Sequence, residues 1–76
     1  MTAIDLELVL DNISCSWRIL RLRTAVENLR RGAHVRVTTT DCSLRPDLEA
    51  FVRQSGHELV QASQTRDTLA FVIRRR

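Results

Sequence analysis

"SWRILRLRTAVENLRRGAHVRVTTT", residues 16–40, joins a helical pattern to a strand pattern across one glycine. Apolar residues recur at helical spacing in its first part and form one stripe: Ile19, Leu22, Val26 and Leu29, with Ala25 beside them. This spacing predicts a helix over 16–31 that ends at Gly32, because glycine accepts the backbone conformation that follows a helix. The β-branched residues after it predict a strand over 33–40, with its two valines facing the same way.

The stretch before this helix predicts another strand. In "LELVLD", residues 6–11, leucines alternate with other residues, as expected of a strand that is buried on one face. A strand, a helix and a second strand in this order favour parallel pairing of the two strands through a right-handed crossover. Residues 6–40 are therefore predicted to form a β-α-β unit.

A second helix is predicted over 44–55, where four apolar residues share a stripe: Leu44, Leu48, Phe51 and Val52. Asp41 and Ser43 are candidates for the residue that caps its first turn. Pro46 fits within that turn, because the N–H group that proline lacks would have no helical partner there. Gly56 is the predicted end of this helix.

Two final strands are predicted over 57–64 and 67–74, and the short "TRD" between them indicates an antiparallel hairpin. The full order is β-α-β-α-β-β. We therefore expect an α/β (α+β) two-layer sandwich, in which two helices cover one face of a mixed four-stranded sheet. A chain of 76 residues suffices for one domain, 1–76, and leaves no room for a second core.

The charge of the chain is mildly basic. The formal net charge is +3, and all 12 basic residues are arginines. Two explanations stay open: codon bias in a GC-rich genome, or a surface that holds phosphates or carboxylates through paired hydrogen bonds. Arg74, Arg75 and Arg76 are expected to form a solvated tail, as terminal runs of like charge usually do.

The sequence also bears on the compartment. No apolar run approaches the roughly 18 residues of a membrane-spanning helix. The start, "MTAIDLELVLD", carries acidic residues where a secretion signal carries positive charge. We therefore expect a cytoplasmic protein with no membrane partner. Because thiols stay reduced in that compartment, Cys15 and Cys42 are not expected to form a stable disulfide.

Both cysteines are predicted at the same edge of the sheet. Cys15 follows the first strand, Cys42 follows the second, and each precedes a helix. The carboxyl ends of parallel strands, where helices begin, are where α/β folds bind ligands. A helix N-terminus and the nearby Arg18 would both favour the thiolate form of Cys15, which is the reactive form. The alternative, a buried and inert cysteine, stays open.

The chain as a whole resembles the TusA/SirA family of small sulfur carriers (sulfurtransferases). The similarity is strongest in "TTDCSLRPDLEAFVRQSGHELVQ", residues 39–61, where family members have a similar aspartate, a helix and then Gly-His-Glu-Leu. "ILRLRTAVENLRRGAHVRV", residues 19–37, is similar to the family's first helix and second strand. The ending "FVIRRR" is similar to the family's last strand.

The resemblance extends to part of the family's signature, Cys-Pro-x-Pro at the start of the first helix. The signature cysteine aligns with Cys15. The chain has "CSWR" there, so Ser16 and Arg18 stand in place of the two prolines. Asn12 replaces a glycine that is usual before the motif, and Cys42 replaces the proline that usually follows the loop aspartate.

The resemblance implies a catalytic role for Cys15: it receives sulfur as a persulfide from a donor protein and passes it to an acceptor protein, without a bound cofactor. Cys42 is a candidate second thiol, as a resolving cysteine, a second sulfur acceptor or half of a redox pair with Cys15. The alternative is that Cys42 is only a small residue in place of a proline. Asp41 is expected to support the site as a helix cap rather than as a general base.

An exposed patch is predicted beside Cys15. On a helical wheel, Trp17 and Leu20 lie opposite the apolar stripe, so the core does not bury them. Together with Ser16 and Arg18 they form a predicted docking patch for partner proteins. In the alternative interpretation, the Trp17 ring folds back over the sheet edge and shields Cys15. We expect a monomer in isolation.

Other kinds of site are not predicted. The two histidines and two cysteines lack the spacing of a zinc site, and His57 is expected to be a structural residue at the start of the third strand. Two other functions stay open: a non-catalytic relative that binds proteins, and a module that binds RNA through its arginines. The lack of exposed aromatic residues other than Trp17 counts against RNA, so no nucleic-acid partner is expected.

Overall fold

The structure, a computed structural model, describes residues 3–11 and 13–76, and of Cys15 the backbone alone. Asn12, which replaces the family's glycine, lies outside the described residues. The elements follow in the predicted order: β1 (Leu6–Val9), α1 (Cys15–Glu27), β2 (His34–Thr39), a short 3₁₀ helix (Cys42–Leu44), α2 (Arg45–Ser55), β3 (Glu58–Gln64) and β4 (Leu69–Arg74). Neither α-helix of the described chain is long and apolar enough to cross a membrane.

The four strands form one mixed sheet in the order β1-β2-β4-β3. β1 pairs in parallel with β2, with Leu8 beside Val37. β4 is antiparallel to both of its neighbours, β2 and β3. Because β1 and β2 are parallel, both strands end at the same edge of the sheet. We call this the thiol edge; it comprises loop 10–14, which leads to Cys15, and loop 40–41, which leads to Cys42.

The core lies between one face of the sheet and both helices. Alternate residues of β1, β2 and β4 point into it, whereas β3 is exposed along its whole length. The helices contribute apolar residues of the stripes that the sequence predicts. The buried cluster consists of Leu8, Leu10, Leu22, Ala25, Val26, Val35, Val37, Leu44, Leu48, Phe51, Val52, Leu69, Phe71 and Ile73. Ile19 and Leu29 pack against this cluster as partly buried residues. The predicted two-layer α+β sandwich is therefore confirmed.

The first helix ends earlier than predicted. It stops at Glu27, and Asn28 follows as its C-cap, so the prediction of a helix that runs to Gly32 is wrong. The chain instead turns towards the sheet, where the Gly32 N–H donates to the Arg75 carbonyl at 3.0 Å. Gly32 has a φ of 83° in that turn, which glycine adopts at little cost. The glycine is therefore needed for a turn that joins the sheet rather than for the helix end.

The second helix begins through a short 3₁₀ helix. Asp41 caps that 3₁₀ helix rather than α2, and its side chain accepts a hydrogen bond from the Ser43 N–H. Ser43 is not a cap residue of α2, whose N-cap is Leu44. Pro46 lies in the first turn of α2, and Gly56 follows the last turn with a φ of 77°. The predictions for Pro46 and Gly56 are confirmed.

The terminal arginines are bonded to the fold, so the prediction of a tail is wrong, although Arg74 and Arg76 are exposed as expected. Arg74 is the last residue of β4. The Arg75 guanidinium donates to the Leu29 carbonyl, across 46 positions of sequence. The Arg76 N–H donates to His57 Nδ1 at 3.0 Å. These contacts fasten the end of the chain to the turn after α1 and to the start of β3.

Candidate functional site

Asp11 joins the ends of β1 and β2 at the thiol edge. Its Oδ1 accepts a hydrogen bond from the Thr39 hydroxyl at 2.9 Å and another from the Thr40 N–H at 2.8 Å. The bond from Thr40 and then that from Thr39 lower the pKa of Asp11 below its ordinary value. Sequence reasoning treats Asp11 only as the end of a strand and misses this role. The available signal was an aspartate directly after the apolar alternation, since such side chains accept backbone N–H groups at strand ends.

Asp41 continues the same network into the loop after β2. Its N–H donates to the Thr39 hydroxyl at 3.0 Å, while its Oδ1 accepts both the hydroxyl and the N–H of Ser43. The Ser43 hydroxyl first and the Arg18 guanidinium second lower the pKa of Asp41, so the carboxyl is ionised at neutral pH. An ionised carboxyl with both oxygens engaged is a cap and an ion-pair partner. This arrangement fits the expected cap and not a general base.

Arg18 connects the two loops of the thiol edge. Its Nη1 donates to Asp41 Oδ2 at 2.8 Å, and its Nε donates to the Ile13 carbonyl at 3.0 Å. The Arg18 side chain is only 11% exposed. We call this pair of contacts the Arg18 clamp. It holds the loop before α1 against the loop before α2, at a position where the family's signature has a proline.

The clamp changes what Arg18 can do. The sequence predicts that its charge favours the Cys15 thiolate and that it forms part of the docking patch. In the structure its guanidinium is paired with the Asp41 carboxylate and largely buried. Much of its positive charge is therefore compensated within the fold, and the helix N-terminus remains as the general source of positive potential at Cys15.

Cys15 is the first residue of α1, directly after the N-cap residue Ser14. The Trp17 N–H donates to the Ser14 carbonyl at 2.8 Å and closes the first turn. The hydroxyls of Ser14 and Ser16 lie 3.3 Å apart. The Cys15 side chain lies outside the described atoms, so its reactivity stays a prediction.

Cys42 begins the 3₁₀ helix after β2. It is a free cysteine, partly buried, and it packs against the core cluster. This position agrees with the interpretation of Cys42 as a small packing residue, and a role as a second thiol stays a prediction. Among the described side chains, no three of the histidines, cysteines and acids form a group that could hold a metal ion.

The predicted patch on α1 is exposed. Trp17 is 60% exposed and Leu20 is 47% exposed, although both are large apolar residues. This exposure contradicts the alternative in which the Trp17 ring folds back over the sheet edge. Ser16, beside them, is also exposed. These three exposed residues follow Cys15 in the first two turns of α1, and their use for docking stays a prediction.

Comparison with known proteins identifies the family. The family described as "Sulfurtransferase TusA" matches residues 7–75. A sulfur carrier protein TusA of Pseudomonas putida is 33% identical over 78 aligned positions, which cover 100% of this chain and 98% of that protein. A sulfur carrier protein TusA of Allochromatium vinosum is 28% identical over 75 positions, with 99% of each chain covered. The family match covers most of this chain, and the alignments to these relatives cover nearly all of both proteins, so the chain belongs to the TusA sulfurtransferase family.

Proposed function

We propose that this protein is a cytoplasmic sulfur carrier in which Cys15 holds the sulfur as a persulfide. The observation that carries the proposal is the position of Cys15 as the first residue of α1 in a TusA-family chain. The relatives named above are sulfur carriers by name. In the resemblance described in the sequence analysis, the family's signature cysteine corresponds to Cys15. A helix N-terminus stabilises the thiolate through its unpaired N–H groups, which supports a nucleophilic cysteine there.

The transfer is a thiol exchange without a cofactor. The Cys15 thiolate attacks the outer sulfur of a donor persulfide, a new S–S bond forms, and the donor cysteine leaves as a thiolate. Cys15 then carries the outer sulfur as its own persulfide. In the second step an acceptor thiolate attacks that outer sulfur, and Cys15 leaves as a thiolate. No electrons are gained or lost overall, so the carrier needs no oxidant or reductant.

The partners are a donor protein and an acceptor protein that dock on the exposed surface of Ser16, Trp17 and Leu20. An exposed tryptophan beside a leucine is the kind of anchor that protein interfaces bury at their centre. The patch is next to Cys15 in sequence and on the same helix. Arg18 is left out of this surface because its guanidinium is held by Asp41. The chain acts as a monomer between its two encounters.

The test compares matched cysteine variants. The wild type, Cys15→Ser and Cys42→Ser are incubated with a cysteine desulfurase and cysteine, and mass spectrometry locates any added sulfur. We expect a persulfide on Cys15 in the wild type and in Cys42→Ser, and none in Cys15→Ser. Iodoacetamide alkylation measured against pH should show that Cys15 reacts faster than an unperturbed thiol. An adduct on Cys42 alone, or none on any protein, would refute the proposal.

A second candidate is a non-catalytic module that binds proteins. The observation in its favour is the Arg18 clamp, since the chain has kept the family's fold while a salt bridge stands in place of a signature proline. In this case the exposed Trp17 and Leu20 serve binding alone. Cys15→Ser separates the two functions: a module keeps its partner binding and its activity in the cell, whereas a carrier loses its activity.

A further inference from the structure

A cleft lined by basic residues lies at the end of the molecule opposite the thiol edge. Its volume is about 320 Å³, and it is lined by Arg31, His57, Arg75 and Arg76. The strand register fixes its place: His34, Arg74 and Glu58 are paired neighbours at that end of β2, β4 and β3. The three arginines come from the turn after α1 and from the end of β4.

The arginines of the cleft are not used in the ion pairs of the described chain. Those pairs use Arg18, Arg30, Arg36, Arg45 and Arg74 instead. Arg75 Nε is buried and has no hydrogen-bond partner among the described residues, although Nη1 of the same side chain donates to a carbonyl. A buried N–H group without an acceptor destabilises a fold, and three like charges around one cleft repel each other. An anion held among these arginines would offset the repulsion between them.

His57 adds a neutral donor to the same cleft. Its Nδ1 accepts the Arg76 N–H, so the proton of the neutral ring lies on Nε2. The ring also packs 6.0 Å from the Phe51 ring, measured between centroids, which supports the structural role predicted for it. Burial first, and then the charges of Arg75 and Arg76, lower the pKa of His57, while Glu27 acts in the opposite direction.

We infer that this cleft is a binding site for a small tetrahedral oxyanion with two negative charges, such as inorganic phosphate or sulfate. Arginine guanidinium groups suit such oxygens because their N–H groups can donate in parallel pairs. Bound there, the anion joins the turn after α1, the start of β3 and the end of β4. It therefore stabilises the fold at the end remote from Cys15, and the inference does not depend on sulfur transfer.

The test is an NMR titration with sodium sulfate and, separately, with sodium phosphate, at an ionic strength held constant with sodium chloride. We expect saturable shifts of the Gly32, His57 and Arg75 amides, and an anion-dependent rise of the melting temperature. Sulfate keeps two negative charges at neutral and mildly acidic pH, so the pKa of the His57 ring should rise when sulfate replaces chloride. If the amide shifts saturate with sulfate as well as with phosphate, the cleft is a general oxyanion site. If they saturate with phosphate alone, the ligand is phosphate.

Matched variants test whether anion binding depends on the arginines that line the cleft. Arg31→Gln and Arg76→Gln should each weaken binding by about tenfold, since each removes charge-assisted hydrogen bonds. Arg66→Gln removes the same charge from the exposed hairpin turn at the other end of the sheet and should leave affinity unchanged. Cys15→Ser should bind the anions like the wild type. Shifts that chloride reproduces equally, or an equal loss in Arg66→Gln, would overturn the inference.

Discussion

Replacement of Arg18 by alanine should destabilise the fold and loosen the thiol edge. The side chain is only 11% exposed, and it makes two contacts that no neighbouring residue duplicates in the described network: one to Asp41 at 2.8 Å and one to the Ile13 carbonyl at 3.0 Å. Alanine removes both contacts and leaves the Ile13 carbonyl without its donor. Loop 10–14 then keeps fewer bonds to loop 40–41.

The size of the effect follows from these contacts. A hydrogen bond between charged groups contributes about 1.5–3 kcal/mol, and a neutral one about 0.5–1.5 kcal/mol. Asp41 is 37% exposed and keeps its bonds from Ser43, so the charged contact belongs at the low end of its range. The free energy of unfolding should therefore fall by about 2 kcal/mol. For a domain of this size, the melting temperature should fall by roughly 4–8 °C for each kcal/mol.

Urea unfolding followed by circular dichroism measures this change. The midpoint should fall with the slope unchanged, because the fold itself is retained. Arg23→Ala removes an exposed arginine from the same helix and should change the free energy by less than about 0.5 kcal/mol. Arg18→Lys keeps the charge but not the paired geometry, so it should lie between the two variants.

A double-mutant cycle decides whether the contact is responsible. Asp41→Asn combined with Arg18→Ala should be less destabilising than the sum of the single changes, with a coupling of about 1 kcal/mol. If the effects of the two substitutions are additive, the ion pair contributes nothing. If Arg18→Ala costs no more than Arg23→Ala, the reasoning from burial and hydrogen bonds is refuted.

Three further predictions concern neighbouring features. Ser16→Pro should change the free energy of unfolding by less than about 1 kcal/mol, because the N–H of the second residue of α1 has no helical partner; a larger loss in urea unfolding would show that the helix start is not as described. The pKa of His57 in the folded protein is below its ordinary value of 6.5, so its contribution to the free energy of unfolding should be fully present above pH 6.5 and should be lost as the pH drops through 6.5 towards the folded pKa. His57→Gln should make the free energy of unfolding depend less on pH in urea titrations at several pH values. Trp17→Ala should change stability by less than about 0.5 kcal/mol, yet weaken binding to a sulfur donor at least tenfold in calorimetry, and equal affinity would remove the docking role.

The fold could be predicted from short-range patterns because the spacing of apolar residues reflects which side of each strand and helix is buried. The alternation of Leu6, Leu8 and Leu10 identified β1, and residues 22 and 26 identified the buried stripe of α1. Pro46 and Gly56 marked the bounds of α2 because each has a backbone requirement that operates within one turn. Gly32 led to a wrong prediction of the end of α1, because a glycine with positive φ occurs in turns as well as at helix ends.

The long-range side-chain contacts at both ends of the molecule could not be predicted in the same way. The Arg18 clamp joins residues 23 positions apart, and the bond from Arg75 to the Leu29 carbonyl joins residues 46 positions apart. An arginine has a long, flexible side chain, so its partner depends on which loops the fold brings near it. The sequence therefore predicted that Arg18 is an unpaired charge beside Cys15 and that Arg75 belongs to a solvated tail.

The Arg18 clamp also alters how the loop before Cys15 is restrained. A proline restrains its own backbone, and it does so in the unfolded chain as well as the folded one. The clamp acts only in the folded state and joins two loops, so movement of loop 40–41 is transmitted to loop 10–14. Because the pKa of Asp41 lies below its ordinary value, the clamp holds at neutral pH and weakens in acid as Asp41 is protonated. If Arg18→Ala slows sulfur transfer under conditions where the protein is fully folded, the geometry of loop 10–14 limits the reaction, and the clamp has taken over a positioning role from the missing proline.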